Sequence, residues 1–203
     1  MRHAITDTDF LCVWQADLFL QAYENALISS LAPRSLAIPM SVLGRNILPK
    51  IASCRWLVIS SFFKTMQKQL PCIKQVNDPN GKLEIDWDRI VKTCKFVRCP
   101  FQSHLETSPY ASWEEGLEKL TKEVLAKDFD LALIGAGAWS VPLGRRIKQM
   151  GKSAIHMGGE TQLHFGIKGK RWVDHNIYSA AWVNADPKET PEDTNRVEEG
   201  YYW

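Results

Sequence analysis

The sequence has few cysteines, and no two of them form a Cys-x-x-Cys pair. The five stand at Cys12, Cys54, Cys72, Cys94 and Cys99. An odd number without paired spacing argues against a closed disulfide framework. We therefore expect a reducing compartment and a cytoplasmic protein.

An excess of charge of either sign is also missing. The chain has 25 Lys and Arg residues against 23 Asp and Glu residues, a formal net charge of +2. Proteins that bind nucleic acids usually carry a basic face, so this balance argues against a nucleic-acid partner. Any site for an anion must then be local.

Long apolar runs are absent too. None approaches the roughly 20 residues that cross a bilayer, and the first residues lack the basic and apolar segments of a signal peptide. We expect no transmembrane segment, which leaves open a peripheral contact with a membrane surface. With 45% hydrophobic and 24% charged residues, the 203 residues fit a single globular domain, 1–203.

The first half of the chain contains one helical pattern and two strand patterns. Apolar residues at helical spacing predict an amphipathic helix from about Phe10 to Leu31, with Asp9 as its N-cap. Residues 55–63 predict a short buried strand, followed by a helix that Pro71 ends. A second strand is expected from Cys94 to Cys99.

The second half alternates more regularly. Ser112 and Glu115 form a capping box at the start of an amphipathic helix. The apolar run from Leu131 to Ile134 is typical of a strand buried on both faces. A helix is expected from Ser140 to about Met150, and a fourth strand over residues 153–157.

Strands that alternate with helices predict an α/β fold, here a Rossmann-like three-layer parallel sheet. Residues 172–203 differ, because they mix aromatic residues with turn formers and show no sustained periodicity. Large rings are suited to hold an irregular segment against a domain. We therefore expect an aromatic C-terminal strap.

Ligands of open parallel sheets lie beyond the carboxyl ends of the strands. The stretches that follow the predicted strands are Ser60-Ser61, Pro100–Gln102, Gly135–Trp139 and His156–Gln162. Glycines in the last two let backbone N–H groups approach a ligand, and the helix at Ser140 adds partial positive charge at its start. An anion is the expected ligand there.

A basic turn follows these stretches in the sequence. Lys168, Lys170 and Arg171 lie close together in GIKGKRW, 166–172, which is not a Walker loop. Three cations on a flexible turn can neutralise a diphosphate. The alternative is a solvated basic turn without a ligand.

Two other ligand classes stay open. Gly135-x-Gly137 lacks the third glycine of the dinucleotide fingerprint, so a nicotinamide or flavin enzyme is the less favoured interpretation. Three Asp-x-Asp pairs are candidates to hold Mn²⁺ or Mg²⁺, namely Asp7/Asp9, Asp86/Asp88 and Asp128/Asp130. Helix capping explains the first two pairs, and the third precedes a strand at the edge opposite the expected site.

Residues 128–172 resemble a known group of proteins. The segment DFDLALIGAGAWSVPLGRRIKQMGKSAIHMGGETQLHFGIKGKRW matches the pattern FDxAxIGxGxxxxPLxxxIKxxGKxAIHxGGxxQxxFGIKGKRW of largely uncharacterised proteins met near bacterial capsule and surface-polysaccharide genes. The tail is similar to that group in AWVNADPKETP, 181–191, and VEEGYYW, 197–203.

That group is distantly similar to glycosyltransferases of the GT-D type, Rossmann-like enzymes that move a sugar from a nucleotide diphosphate to an acceptor. The resemblance implies a nucleotide-sugar pocket lined by Gly135, Gly137, His156, Gly158, Gly159, Gln162, Lys168, Lys170 and Arg171. GT-D enzymes carry an Asp-x-Glu motif near the N-terminus, and this sequence has none. The departure implies a chain that is shortened at its N-terminus or divergent, and it puts metal binding in doubt.

Two functions follow from these residues. In glycosyl transfer to a glycan or glycoconjugate acceptor, His156 or Glu160 takes the proton of the acceptor hydroxyl while the basic turn stabilises the departing diphosphate. Trp139 or Trp172 is a candidate to stack on the base or the sugar, and a buried structural tryptophan is the alternative. The second function is a catalytically silent module that binds a nucleotide sugar within a polysaccharide assembly.

Overall fold

The computed structural model of the chain describes residues 2–13, 18–32, 36–39, 47–99, 109–175, 177–196 and 198–203. Its strands are β1 Phe10–Val13, β2 Leu36–Pro39, β3 Trp56–Ser60, β4 Lys95–Arg98, β5 Leu131–Gly135 and β6 Ser153–His156. Its helices are α1 Arg2–Thr6, α2 Leu18–Leu31, α3 Leu48–Ile51, α4 Phe63–Gln69, α5 Ile73–Asn77, α6 Trp87–Thr93, α7 Trp113–Leu125, α8 Ser140–Gln149 and α9 Glu160–His164. Short 3-10 turns include Gly137–Trp139, Lys170–His175 and Pro187–Glu189.

Four strands form one all-parallel sheet in the order β4-β3-β5-β6. The fold is therefore α/β, as predicted, and it is consistent with a Rossmann-like fold. Ser60 pairs with both Arg98 and Gly135, and Ile134 pairs with His156, so the carboxyl ends of the strands lie along one edge. The chain leaves β3 for β4 on one side and then returns to β5 on the other side. The strand order thus reverses between β3 and β5, which is where such sheets bind ligands.

The central strands β3 and β5 are buried on both faces. Their successive side chains point to opposite sides, so alternate residues enter two separate cores. The first core contains side chains of α4, α5 and α6, and the second contains side chains of α7 and α8. Burial on both faces explains why WLVIS and LALIG are continuous apolar runs without polar alternation.

The two helices predicted in the second half are confirmed. The Ser112 hydroxyl accepts a hydrogen bond from the Glu115 N–H at 3.1 Å, and the Glu115 carboxylate accepts one from the Ala111 N–H at 2.7 Å. The first bond satisfies an N–H group that a helix start leaves without a partner, and the second ties the residue before the N-cap to the helix. Helix α8 begins at Ser140, as expected, and leads from β5 to β6.

The predicted helix from Phe10 to Leu31 is wrong in its first part. Phe10–Val13 is strand β1, which pairs in parallel with β2, and helix α2 begins at Leu18. Asp9 stands before this strand, and its carboxylate accepts a hydrogen bond from Lys148 Nζ at 2.6 Å. Periodicity does not separate helix from strand in so short an apolar run, and the Phe and Val residues favour a strand.

An ion-pair cluster joins β3 to β5 at the amino edge of the sheet. The Arg55 guanidinium donates to Asp130 through Nε at 3.0 Å and Nη2 at 2.6 Å, and it also contacts Asp128. This arrangement holds the pKa of Asp130 well below its usual value, first through the side-chain hydrogen bond from Arg55. Asp128 and Asp130 therefore lie opposite the carboxyl edge, as expected.

Replacing Asp130 with Asn is expected to weaken the fold at neutral pH and to change its response to acid. A carboxylate whose pKa is lowered by folding stabilises the fold at pH values above its unfolded-state pKa of about 4. This contribution is lost as the pH falls below that value. The difference in urea midpoint between wild type and Asp130→Asn should therefore narrow from pH 7 to pH 3. Asp128→Asn is the matched control, with a smaller effect because that carboxylate is more exposed. An unchanged difference in urea midpoint between pH 7 and pH 3 would contradict the role of Asp130.

The described tail residues return to the core and bond to the turn that follows α9. The Lys168 N–H donates to the Val183 carbonyl at 2.8 Å, and the Lys170 N–H donates to the Trp203 carbonyl at 2.9 Å. The Trp182 side chain is buried. A Cβ added to Gly169 would lie 3.1 Å from the Tyr201 carbonyl, so a glycine lets the tail approach this turn closely.

Candidate functional site

A cleft of about 1420 Å³ opens at the carboxyl edge of the sheet. Three of the four stretches expected to carry the site line it, after β3, β5 and β6. The fourth, Pro100–Gln102, lies outside the described residues. The cleft therefore lies beside the reversal of strand order, where the sequence places a ligand.

The start of helix α4, directly after β3, is occupied by a carboxylate from the tail. Glu189 accepts hydrogen bonds from the Lys64 N–H at 2.7 Å, the Thr65 N–H at 2.9 Å and the Thr65 hydroxyl at 2.6 Å. Helix starts attract anions because their N–H groups lack intrahelical acceptors. Sequence reasoning missed this contact, because it joins residues that are 125 positions apart.

Replacing Glu189 with Ala is expected to lower the free energy of unfolding by about 1–2 kcal/mol, the upper range for loss of a helix cap. The same variant loses the Glu189 bonds to α4 and keeps the Lys68–Asp186 ion pair, so the tail loosens at Glu189 and the nearby Trp203 should become more accessible to a fluorescence quencher. Its indole N–H donates to the Glu189 carbonyl at 3.2 Å. The neighbouring exposed Lys188→Ala is the control. Equal urea midpoints for the two variants would show that Glu189 does not hold the tail.

Glycines close the turns after β5 and β6 and bring the two turns into contact. Gly137 and Gly158 have positive φ angles of 52° and 54°, which other residues rarely adopt. A Cβ on Gly135 would lie 2.8 Å from the Thr161 hydroxyl and 3.0 Å from the Gly158 carbonyl. Backbone atoms therefore form this part of the cleft, next to the start of α8.

Arg171 brings the positive charge of the basic turn into the cleft. Its Nη1 lies 2.8 Å from the position that a Cβ on Gly159 would take. The guanidinium also lies 4.1 Å from the ring centroid of Tyr202 and 5.6 Å from that of Trp172. The aromatic neighbours restrict the orientation of the guanidinium, which suits it to hold an anion at the Gly158-Gly159 turn.

The other two cations of the basic turn lie elsewhere. Lys170 Nζ donates to the Glu199 carbonyl at 3.1 Å and lies 5.7 Å from the ring centroid of Tyr201, so this lysine faces the tail. Lys168 is partly exposed, and among the described residues neither lysine lines the cleft. Of the three expected cations, the structure thus brings Arg171 alone to the glycine turns.

His156 ends β6 and lines the cleft. Its Nδ1 lies 3.4 Å from the Ile134 carbonyl, and a carbonyl only accepts, so Nδ1 carries the proton when the ring is neutral. The atoms packed around the ring lower the pKa of His156 below its usual value, and the contact with Ile134 opposes that shift. At neutral pH the ring is therefore uncharged, and Nε2 is left as a proton acceptor.

Glu160 and Gln162 lie one turn further on, in α9, and both line the cleft. Gln162 is 2% exposed, and its Nε2 donates to the Tyr202 carbonyl at 2.9 Å. Its Oε1 is buried and has no hydrogen-bond partner within the described parts of the chain. A buried acceptor without a partner costs free energy, and a donor group of a ligand in the cleft would offset this cost.

The two tryptophans singled out in the sequence have different environments. Trp139 is 4% exposed and packs in the second core, with its ring 5.9 Å from that of Tyr110. A Cβ on Gly116 would lie 2.6 Å from the same indole, so α7 presses against it closely. Both tryptophans line the cleft, but Trp172 is less buried and lies beside Arg171. Trp172 is therefore better placed than Trp139 to stack on a ligand.

The Asp-x-Asp pairs are used in contacts within the protein. Asp86 caps α6 by accepting from the Arg89 N–H at 2.9 Å, as expected. Asp7 pairs with Arg145 and Asp9 with Lys148, so this pair joins the N-terminal segment to α8 instead of capping a helix. Within the described ranges, no three His, Cys, Asp or Glu side chains are arranged to hold a metal ion. We therefore assign no step to Mn²⁺ or Mg²⁺.

No protein-family model, curated protein sequence or solved structure matches this chain. The resemblance of residues 128–172 to the polysaccharide-associated group therefore stays a prediction from the sequence. Over the described part of the chain, no helix has both the length and the apolar character needed to cross a membrane.

Proposed function

We propose that this protein, as a three-layer Rossmann-like domain, binds a nucleotide-diphosphate sugar and transfers the sugar to a glycan or glycoconjugate acceptor in surface polysaccharide biosynthesis. The observation that carries the proposal is the approach of Arg171 to the Gly158-Gly159 turn in the same cleft as His156. A fixed cation beside exposed backbone suits a diphosphate, and a neutral imidazole suits a hydroxyl.

The proposed reaction forms one bond at the anomeric carbon and breaks another. The acceptor oxygen attacks that carbon, and the bond between the carbon and the diphosphate oxygen breaks. The electron pair leaves with the diphosphate, whose added negative charge is stabilised by Arg171 and by the partial positive charge at the start of α8. The proton of the acceptor hydroxyl passes to Nε2 of His156, with Glu160 as the alternative acceptor.

A panel of nucleotide-diphosphate sugars tests this proposal directly. We expect at least one donor to raise the melting temperature in proportion to the logarithm of its concentration, with or without Mn²⁺. The same donor should be hydrolysed slowly, because water replaces the missing acceptor. Stabilisation without hydrolysis or transfer would identify a silent binding module instead. No stabilisation by any donor would rule out both functions.

A further inference from the structure

The side chain of Gln162 has one hydrogen-bonding atom fixed by the protein and one left over. Its Nε2 donates to the Tyr202 carbonyl at 2.9 Å. A carbonyl only accepts, so this bond fixes which end of the amide is Nε2 and leaves Oε1 at the other end. Among the described residues that line the cleft, no other has a buried side-chain acceptor without a partner. This oxygen is therefore suited to a donor group of a ligand.

The Gln162 amide and the Arg171 guanidinium are held by the same two residues. The first is Gly159, whose carbonyl accepts from the Gln162 N–H at 3.0 Å and whose added Cβ would lie 2.8 Å from Arg171 Nη1. The second is Tyr202, whose carbonyl accepts from Gln162 and whose ring centroid lies 4.1 Å from the guanidinium. A ligand with its anion at Arg171 therefore presents the groups nearest to that anion to Gln162.

This position favours a neutral donor close to the anion. An ammonium group would be repelled by the nearby charge of Arg171. The N–H groups of a nucleobase lie beyond the ribose, several bonds further from the phosphates than the hydroxyls of an attached sugar. A sugar hydroxyl is neutral and lies within a few bonds of the phosphate. It is therefore the donor that fits both Arg171 and Gln162.

We propose that Gln162 determines specificity by accepting, at Oε1, a hydrogen bond from a hydroxyl of a sugar phosphate whose anion lies at Arg171. The hydroxyl belongs either to the transferred sugar or to the ribose, and the test distinguishes these sources. A site built to bond a hydroxyl strongly rejects the analogue that lacks it. That the molecule is a glycosyl donor rests on the proposed function, but recognition of the hydroxyl does not.

The test compares sugar phosphates with analogues that lack one hydroxyl. The probes are UDP-glucose, GDP-mannose and, without a nucleotide, glucose 1-phosphate, each with its series of monodeoxy analogues. Affinities are measured by calorimetry or, for weak ligands, by NMR titration. Wild type should bind at least one probe, and removal of one particular hydroxyl should weaken that binding about tenfold or more. A loss on removal of a hexose hydroxyl assigns the transferred sugar, and a loss in the ribose assigns the nucleotide.

Gln162→Met removes the acceptor and keeps a side chain of similar length. This variant should bind the intact probe and the critical deoxy analogue within twofold of each other. Loss of the bond to Tyr202 alone would weaken both ligands alike and leave their affinity ratio as in wild type. Thr161→Val is the matched control, because Thr161 is the buried neighbour whose hydroxyl already donates to the Gly158 carbonyl at 2.7 Å. It should keep the wild-type ratio.

Each outcome separates this inference from the proposed function. Discrimination that disappears in Gln162→Met, without sugar transfer to any acceptor, would support the role of Gln162 and reject the glycosyltransferase. Sugar transfer with equal affinity for every deoxy analogue would overturn the role of Gln162 alone, as expected if a buried water satisfies Oε1. The wild-type series decides this point even where a variant does not fold. An unchanged ratio in folded Gln162→Met, or binding of none of the probes, would also overturn the inference.

Discussion

Replacing His156 with Gln is expected to slow sugar transfer by about 100-fold or more, the usual range for loss of a general base. In wild type the rate should fall as the pH drops through the lowered pKa of His156, because a protonated ring accepts no proton. Below about pH 6.5 the fold should also lose stability, since the unfolded chain takes up the proton more readily. Rate profiles from pH 5 to pH 8 measure the first effect, and urea midpoints measure the second.

Glu160→Gln is the matched comparison, because Glu160 lines the same cleft. If His156 is the base, the acid limb of the rate profile disappears in His156→Gln and remains in Glu160→Gln. The reverse result would assign the proton to Glu160. An NMR titration of the His156 ring needs no substrate, and a pKa at or above 6.5 would contradict the environment described for this ring.

Replacing Arg171 with Ala is expected to weaken binding of a nucleotide diphosphate by about 10–100-fold. Hydrogen bonds to a charged group contribute about 1.5–3 kcal/mol, and each 1.4 kcal/mol is a factor of ten in affinity. Arg171→Lys should recover part of the lost affinity, because lysine keeps the positive charge but lacks the planar pair of N–H donors. Isothermal titration calorimetry with the nucleotide-sugar donor identified in the panel measures the affinities of wild type and of both Arg171 variants.

Lys170→Ala provides the control for Arg171. Its ammonium group bonds to the Glu199 carbonyl and faces the tail, so the variant should bind the nucleotide within about twofold of wild type. A loss equal to that of Arg171→Ala would show that the whole basic turn holds the diphosphate, as a flexible cluster of cations would. Melting temperatures without ligand separate a binding effect from loosening of the tail.

The sequence predicts the parallel sheet well, because its strands carry local signals. β3 and β5 are continuous apolar runs, and the capping box at Ser112 marks the start of α7. The N-terminal segment carries no such signal. An apolar run of four residues in β1 is compatible with helix and strand alike, and pairing with β2 decides the outcome.

The candidate site also has parts that the sequence predicts and parts that it does not. The glycine turns after β5 and β6 are predictable from the sequence, because carboxyl ends of parallel strands share one edge. The different positions of Lys170 and Arg171 are not predictable from the sequence, because adjacent residues in a 3-10 turn point in different directions. The Glu189 contact with α4 and the unpaired Gln162 Oε1 depend on how the tail packs, which composition and spacing do not reveal.

The carboxylate of Glu189 also has a consequence for synthesis on the ribosome. Helix α4 is translated early, and the residue that caps it follows 125 positions later. A nascent chain therefore exposes the start of α4 until the tail has left the exit tunnel. Contacts of such high sequence separation form slowly. Full protection of α4 against proteolysis should thus appear only after the segment that carries Glu189 has emerged from the ribosome.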